Sequence, residues 1–176
     1  MPENTDGIRR KPMGKPTLDR FDRRILGALV EDAGLSYAAL GVKAGLSAPA
    51  VHERVKRLRQ AGVICGTHAR LDAEAIGKPL LAFVHVEAAG WGKGERMLAL
   101  KRFPEVEEMH SVAGDTGLIL KVRTRSTHAL EALLAQIYAI PGVAGTRSYI
   151  ALSSYLERPV QAEFTEDWPF LHPNRA

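Results

Sequence analysis

The chain has 176 residues, 45% of them apolar and 25% charged, which is an ordinary soluble globular mixture. No apolar run approaches the roughly 18 residues that a membrane span needs. The polar, basic, Pro/Gly-containing stretch from Met1 to Lys15 does not read as a signal peptide, so no membrane association and a cytoplasmic location are expected. The single Cys65 excludes an intrachain disulfide and a cysteine-built zinc cluster, and its apolar neighbours predict a buried, inert thiol. Net charge is +4 but uneven: residues 1–70 hold 13 Lys/Arg against 7 Asp/Glu, and residues 71–176 hold 11 against 13. A basic first half and a mildly acidic second half point to a polyanion for the first half only.

Residues 1–17 read as a flexible arm, with Arg9, Arg10, Lys11 and Lys15 available for phosphate contacts. A first helix is predicted from Leu18 to Val30, because Phe21, Ile25, Leu26 and Leu29 share one face. Thr17 or Asp19 can cap it. A second, shorter helix starts at the N-cap Ser36 and stops before Gly45, with Ala39, Leu40 and Ala44 turned inward. A third starts at Ser47, carries Pro49 in its first turn where a missing N–H costs nothing, and runs to Gln60 before Gly62. Val63 to Arg70 is β-rich enough for a short strand or wing. Gly77 and Pro79 then break a connector, and the domain boundary is placed at about residue 79.

The second half contains a near-repeat. Leu80–Glu87 reads as a strand and Gly94–Arg102 as an amphipathic helix, after which Pro104 opens a strand running from Val106 to Val112. The same order recurs 37 residues later: a strand at Leu118–Arg123, a helix at Ser126–Tyr138, and a strand from Val143 to Leu152 opened by Pro141. Two β-α-β units in tandem predict a ferredoxin-like four-stranded antiparallel sheet with two helices on one face. The other face is expected to be apolar and covered by a second copy, making a homodimer. Residues 157–176 form a tail with Phe164, Trp168 and Phe170.

Helices two and three make a helix-turn-helix, the motif covering about residues 37–56. On the third helix Val51, Val55 and Leu58 cluster on one side. Pro49, Ala50, Glu53, Lys56, Arg57 and Gln60 lie opposite, with His52 and Arg59 at one edge of the stripe and Arg54 at the other. A helix that buries one stripe and shows basic and polar groups on the other suits the major groove of double-stranded DNA. Ser47, Pro49, Ala50 and Glu53, near its N-terminus, are the candidates for base contact. Lys56, Arg57 and Arg59 are candidates for phosphates. Ser36, His52 and Arg54 complete the DNA-binding set.

At these residues the chain resembles the Lrp/AsnC (feast/famine) family. The match runs through Leu18-Asp19-Arg20-Phe21-Asp22-Arg23-Arg24-Ile25-Leu26, Gly45-Leu46-Ser47, Val51 to Leu58 and Gly62 to Gly66. It continues at Phe103 to Val106, Gly114-Asp115, Leu118 to Val122 and Pro141 to Val143. The resemblance implies an α+β protein with a winged helix-turn-helix (18–79) followed by a ferredoxin-like βαββαβ, RAM/ACT-like domain (80–156). It implies regulation of transcription, often of amino-acid metabolism, and association with the nucleoid. It also implies dimers that commonly build octamers, and a small effector, usually an amino acid, bound between neighbouring sensor domains. His110, Gly114, Asp115, Thr116 and Gly117 are the candidate effector contacts. The family commonly has an aromatic-acid pair where this chain has Thr116-Gly117, which removes a natural partner for an ammonium group.

Two other functions bear on the same residues. The family's fold relatives include haem-pathway decarboxylases, but their histidine-bearing segment is not visible. No Ser-His-Asp, Cys-His or glycine-rich phosphate motif stands in a fitting context. The 6 histidines include no pair at metal-ligand spacing on one helix, so neither an enzyme nor a metal or cofactor is expected. The other alternative is a nucleoid-type protein that coats DNA with little sequence choice.

Overall fold

A computed structural model describes residues 16–88 and 95–163. The basic arm, the helix start expected at Gly94 and the tail aromatics Phe164, Trp168 and Phe170 lie outside the described residues. The described residues divide into two compact units, 16–68 with 158–163 and 69–88 with 95–157.

In the first unit α1 (Arg20–Glu31) opens on a reciprocal cap. The Asp19 carboxylate accepts the Asp22 N–H at 2.8 Å, and the Asp22 carboxylate accepts the Asp19 N–H at 3.2 Å, so two otherwise orphaned donors are satisfied. Helix α2 (Tyr37–Ala44) begins where Ser36 Oγ accepts the Ala39 N–H. It ends at Gly45, whose φ of 72° is the left-handed conformation that glycine adopts without steric cost. Helix α3 (Ala48–Gln60) follows after a three-residue turn, with Pro49 in its first turn as expected. Its end is closed by Gly62 N–H on the Arg59 carbonyl and Val63 N–H on the Leu58 carbonyl, the pairing that satisfies terminal carbonyls.

Ile25 and Ala28 of α1, Leu40 and Ala44 of α2, and Val51 and Val55 of α3 form the core of this unit, with Leu29, Leu35, Leu46 and Ile64 packed around it. Burying each large aliphatic side chain is worth about 1.5–3 kcal/mol, so few residues fix the three helices.

Two expectations are corrected here. No strand forms over Val63–Arg70. The Val63 and Ile64 N–H groups both return to the Leu58 carbonyl, which ties them to the helix end, and residues 65–70 are exposed with no partner strand in this unit. Cys65 is exposed rather than buried. Its neighbour Ile64 packs against the core, while its Sγ donates to the Gly62 carbonyl at 3.4 Å.

The second unit follows the expected order: β1 (Leu80–Ala88), α4 (Glu95–Leu98) continuing as a 3-10 turn to Arg102, β2 (Val106–Ser111), β3 (Leu118–Thr124), α5 (Thr127–Tyr138) and β4 (Val143–Ile150). The sheet order is β2-β3-β1-β4 with every neighbouring pair antiparallel, the ferredoxin-like arrangement. Alternation sets its two faces. Ala82, Val84 and Val86 of β1 and Leu118, Leu120 and Val122 of β3 bury against Leu100, Leu130, Leu133 and Ile137 from the helices.

The opposite sheet face departs from the apolar surface expected of it. Phe83 and Tyr149 are partly exposed there. Beside them Lys121 pairs with Glu107, Glu108 and Glu157 at 3.3–3.7 Å, and Arg123 pairs with Glu107 and Glu157. Burial works against the Lys121 charge, but the three carboxylates outweigh it and its pKa is raised. This face is therefore mixed: Phe83 and Tyr149 lie between the ion pairs of Lys121 and Arg123 toward β2 and the Arg147–Glu87 pair at the β4 side.

Candidate nucleic-acid interface

The turn that sets α2 against α3 depends on close backbone approach. Leu46 N–H bonds to the Gly41 carbonyl at 2.9 Å. A Cβ on residue 41 would lie 2.5 Å from the Leu46 carbonyl oxygen, so only glycine fits this buried position. The turn leaves α3 with Val51, Val55 and Leu58 buried to 1% exposure or less. His52, Glu53, Lys56, Arg57, Arg59 and Gln60 face solvent, together with Ser47 and Pro49. The two faces inferred from the spacing are thus both present. Arg57 and Arg59 in the last turn also complement the helix dipole.

Individual members of the predicted set differ in what they are free to do. Ser47 makes no side-chain cap bond, whereas the Ser36 hydroxyl is committed to capping α2. Ala50 is half-buried, nearer the core than its position on the helix suggests. His52 packs edge-on to Tyr37, with ring centroids 5.1 Å apart, and its Nδ1 lies 3.3 Å from the Glu53 carboxylate. Lys56 and Arg59 are exposed.

Arg54 is engaged within the unit. Its side chain is only 25% exposed. Nη1 donates to Asp19 at 2.7 Å and to Asp22 at 2.9 Å, and its guanidinium carbon sits 5.5 Å from the Phe21 ring centre. It struts α3 against α1. The Asp19 and Asp22 hydrogen bonds raise its already high pKa. In return Asp19 is held below the ordinary carboxylate value, first by the Asp22 backbone N–H and then by Arg54.

Asp22 itself was not foreseen as a functional residue. Its side chain is 1% exposed and meets both Arg54 and Arg57. A signal was available: Asp22 lies on the same face of α1 as Ile25 and Leu29, at the i, i+3 and i+7 positions. An acid inside an apolar stripe requires a buried cationic partner, and Arg54 and Arg57 stand i, i+3 beside the α3 stripe.

In the second unit the candidate effector residues differ in their contacts. Thr116 is buried, and its hydroxyl donates to the carbonyls of Val86 and Leu118, which braces the loop onto β1. His110 is exposed on β2 and pairs with Glu108 at 3.1 Å. That contact is the first cause holding the Glu108 pKa down. Gly114 takes a φ of 151°. Asp115 is 80% exposed and lies 3.6 Å from Arg147 of β4. Arg147 also reaches Glu87. Gly117 accepts the Val112 N–H, closing the loop. A cavity of about 890 Å3 in this unit lies between the connector and residues 151–157, away from this loop.

Comparisons with known proteins agree with both halves. The AsnC-type helix-turn-helix domain matches residues 18–59, and the Lrp/AsnC ligand binding domain matches residues 81–161. HTH-type transcriptional regulator FL11 of Pyrococcus horikoshii is 34% identical over 80% of this chain and 93% of its own length. The leucine-responsive regulatory protein of Escherichia coli K12 is 34% identical over 81% of this chain and 89% of its own. Among solved structures, a feast or famine regulatory protein from M. tuberculosis complexed with L-methionine superposes with a TM-score of 0.77 at 36% identity, covering 84% of this chain and all of that one. E. coli AsnC superposes with a TM-score of 0.75 at 28% identity, covering 82% and 99%. The chain belongs to the Lrp/AsnC family of helix-turn-helix transcriptional regulators.

Proposed function

We propose that this chain binds double-stranded DNA sequence-specifically, with α3 in the major groove, and that an amino acid or related metabolite modulates its assembly. One observation carries the reading: α3 buries Val51, Val55 and Leu58 and keeps Lys56, Arg57 and Arg59 in solvent, on a turn that matches the AsnC-type motif. Ser47, Pro49 and Glu53 approach base edges, and the three cations take phosphates. The functional particle is a homodimer, or a higher ring such as an octamer, built through the sheet face that carries Phe83 and Tyr149. Paired recognition helices then meet half-sites about one helical turn apart, or a multiple of that. Its place of action is the cytoplasm, at the nucleoid. Among the described residues no helix is long and apolar enough to cross a membrane.

The effector contacts the 114–117 loop from a site completed by a neighbouring subunit. The exposed Asp115 and Arg147 offer one charge of each sign to a zwitterion. The relatives named for leucine response and solved with L-methionine support this ligand class.

The test is genome-wide mapping of bound sites, followed by titration of a mapped duplex and its scrambled version at several salt concentrations. A regulator keeps a specificity ratio of roughly 10³ or more. Equal affinity for both duplexes would replace this reading with that of a DNA-coating protein.

A further inference from the structure

The contact between Asp22 and Arg57 has an unusual form. Arg57 Nη2 alone lies 2.7 Å from Asp22 Oδ1 and 2.6 Å from Oδ2. One nitrogen therefore straddles the carboxylate end-on, in place of the parallel two-nitrogen fork that arginine forms with planar anions. Asp22 is 1% exposed, but the Arg57 side chain is 56% exposed. The carboxylate thus anchors one tip of the guanidinium from inside the unit. Arginine carries five N–H donors. Both two-nitrogen forks of a guanidinium, Nη1–Nη2 and Nε–Nη2, include Nη2, so the donors that Asp22 leaves unused are those on Nη1 and Nε. The Nη1 N–H groups at the tip can each give a phosphate oxygen a charge-assisted bond.

Asp22 is itself fixed from three sides. It closes the α1 cap through the Asp19 N–H, accepts from Arg54 Nη1 at 2.9 Å, and lies on the buried face of α1 with Ile25 and Ala28. An acid so held cannot swing away with its partner, so Arg57 is held in one pose before any duplex arrives. Preorganising a long side chain removes rotamer entropy that binding would otherwise have to overcome.

We propose that Asp22 is a positioning residue for DNA-backbone recognition: it holds Arg57 Nη2 from within the helical unit so that the remaining Nη1 N–H groups meet a duplex phosphate. The proposal rests on the DNA-binding reading above. It assigns Arg54 and Arg57 different tasks despite their common acid. Arg54 staples α3 to α1, and Arg57 is an outward clamp.

The experiment is a double-mutant cycle on DNA affinity, with salt dependence measured for each full-length protein: wild type, Asp22→Asn, Arg57→Ala, the double variant and Arg57→Lys. Arg57→Ala is expected to lower affinity roughly tenfold, as for one lost charge-assisted contact, and to reduce the slope of log affinity against log salt by about 1. Asp22→Asn should reproduce both effects in part, and the double variant should bind no worse than Arg57→Ala alone. Arg57→Lys guards against a folding failure of Asp22→Asn. Its single ammonium is captured by the buried acid, so thermal stability is kept while the slope still falls by about 1. Losses that multiply in the double variant, or an unchanged slope in Arg57→Ala or Arg57→Lys, overturn the proposal. If wild type binds no duplex at all, the DNA-binding reading itself fails; if wild type binds and the cycle is additive, only the role of Asp22 fails.

Discussion

Leu46 donates its N–H to the carbonyl of Gly41 at 2.9 Å, and its own carbonyl oxygen stands 2.5 Å from the place a Cβ on residue 41 would occupy. Local and tertiary effects therefore oppose each other at Gly41→Ala. Helix propensity alone would favour alanine by about 1 kcal/mol. Forcing a methyl against a buried backbone carbonyl costs about 1–3 kcal/mol and shifts the α2–α3 turn. The tertiary term is the larger, so the variant should unfold at lower denaturant concentration and bind its duplex more weakly. A chemical denaturation series measures the first effect. Stabilisation by Gly41→Ala would show that the turn opens readily and does not fix α3.

Lys56 and Glu53 are both exposed on α3 but should fail differently. With α3 in the groove as proposed, Lys56→Ala would remove a phosphate partner. Affinity should fall for every sequence alike, with the salt slope reduced by about 0.9 for one lost contact. On the same reading Glu53→Ala would remove an acceptor near the base edges, and each altered base contact is worth about 1–3 kcal/mol of discrimination. It should change the preferred base at one position of each half-site and leave the salt slope intact. Binding to a randomised duplex library, read by sequencing, separates the two. A shared, sequence-independent loss for both variants would place Glu53 outside the groove.

Much of this organisation was legible in the sequence, because periodicity and caps are local. Ser36, Gly45, Pro49 and Gly62 punctuate the helices where the structure has them, and the near-repeat around Pro104 and Pro141 predicts the sheet order. The misses are tertiary. Nothing near Cys65 says that Ile64 packs on the core while the thiol faces out. The wing over residues 63–70 needs a partner strand, and none pairs with it among the described residues. The helical wheel puts Arg54 at the edge of the stripe and Arg57 opposite it, but only the acid contributed by α1 shows that both meet Asp22. Thr116 reads as a loop polar residue until the Val86 carbonyl is seen above it.

Asp19 gives the helical unit a defined acid sensitivity. Its pKa is lowered from 3.8 by the Asp22 N–H and then by Arg54. A depressed folded-state value means that its stabilising contribution is complete above the unfolded value and disappears as pH falls through the folded one. Asp19→Asn retains a good N-cap but lacks the charge facing Arg54. The wild type should therefore melt above the variant at neutral pH. The two curves should converge as pH falls below 3.8, which thermal melts across an acid series would record. A difference that persists unchanged in acid would mean that shape rather than charge supplies the Asp19 contribution.

The 114–117 loop offers a separation between bracing and binding. The Thr116 hydroxyl is buried and donates to the Val86 and Leu118 carbonyls, so Thr116→Val should cost about 1 kcal/mol of stability through the lost hydrogen bond. Asp115 is 80% exposed and touches only the rim of the unit at Arg147, so Asp115→Asn should change stability by less than about 0.5 kcal/mol. Their ligand responses should reverse that order. A ligand that binds only the folded state raises the melting temperature, and by more the higher its concentration relative to its Kd. With L-leucine or L-methionine added, Thr116→Val should keep the wild-type shift on its lowered baseline. Asp115→Asn should lose most of the shift, because the carboxylate is the group available to an ammonium. Melts with and without each amino acid decide the matter. Full shifts in both variants would move the effector away from this loop, since neither the brace nor the exposed acid would then be sensed by the ligand.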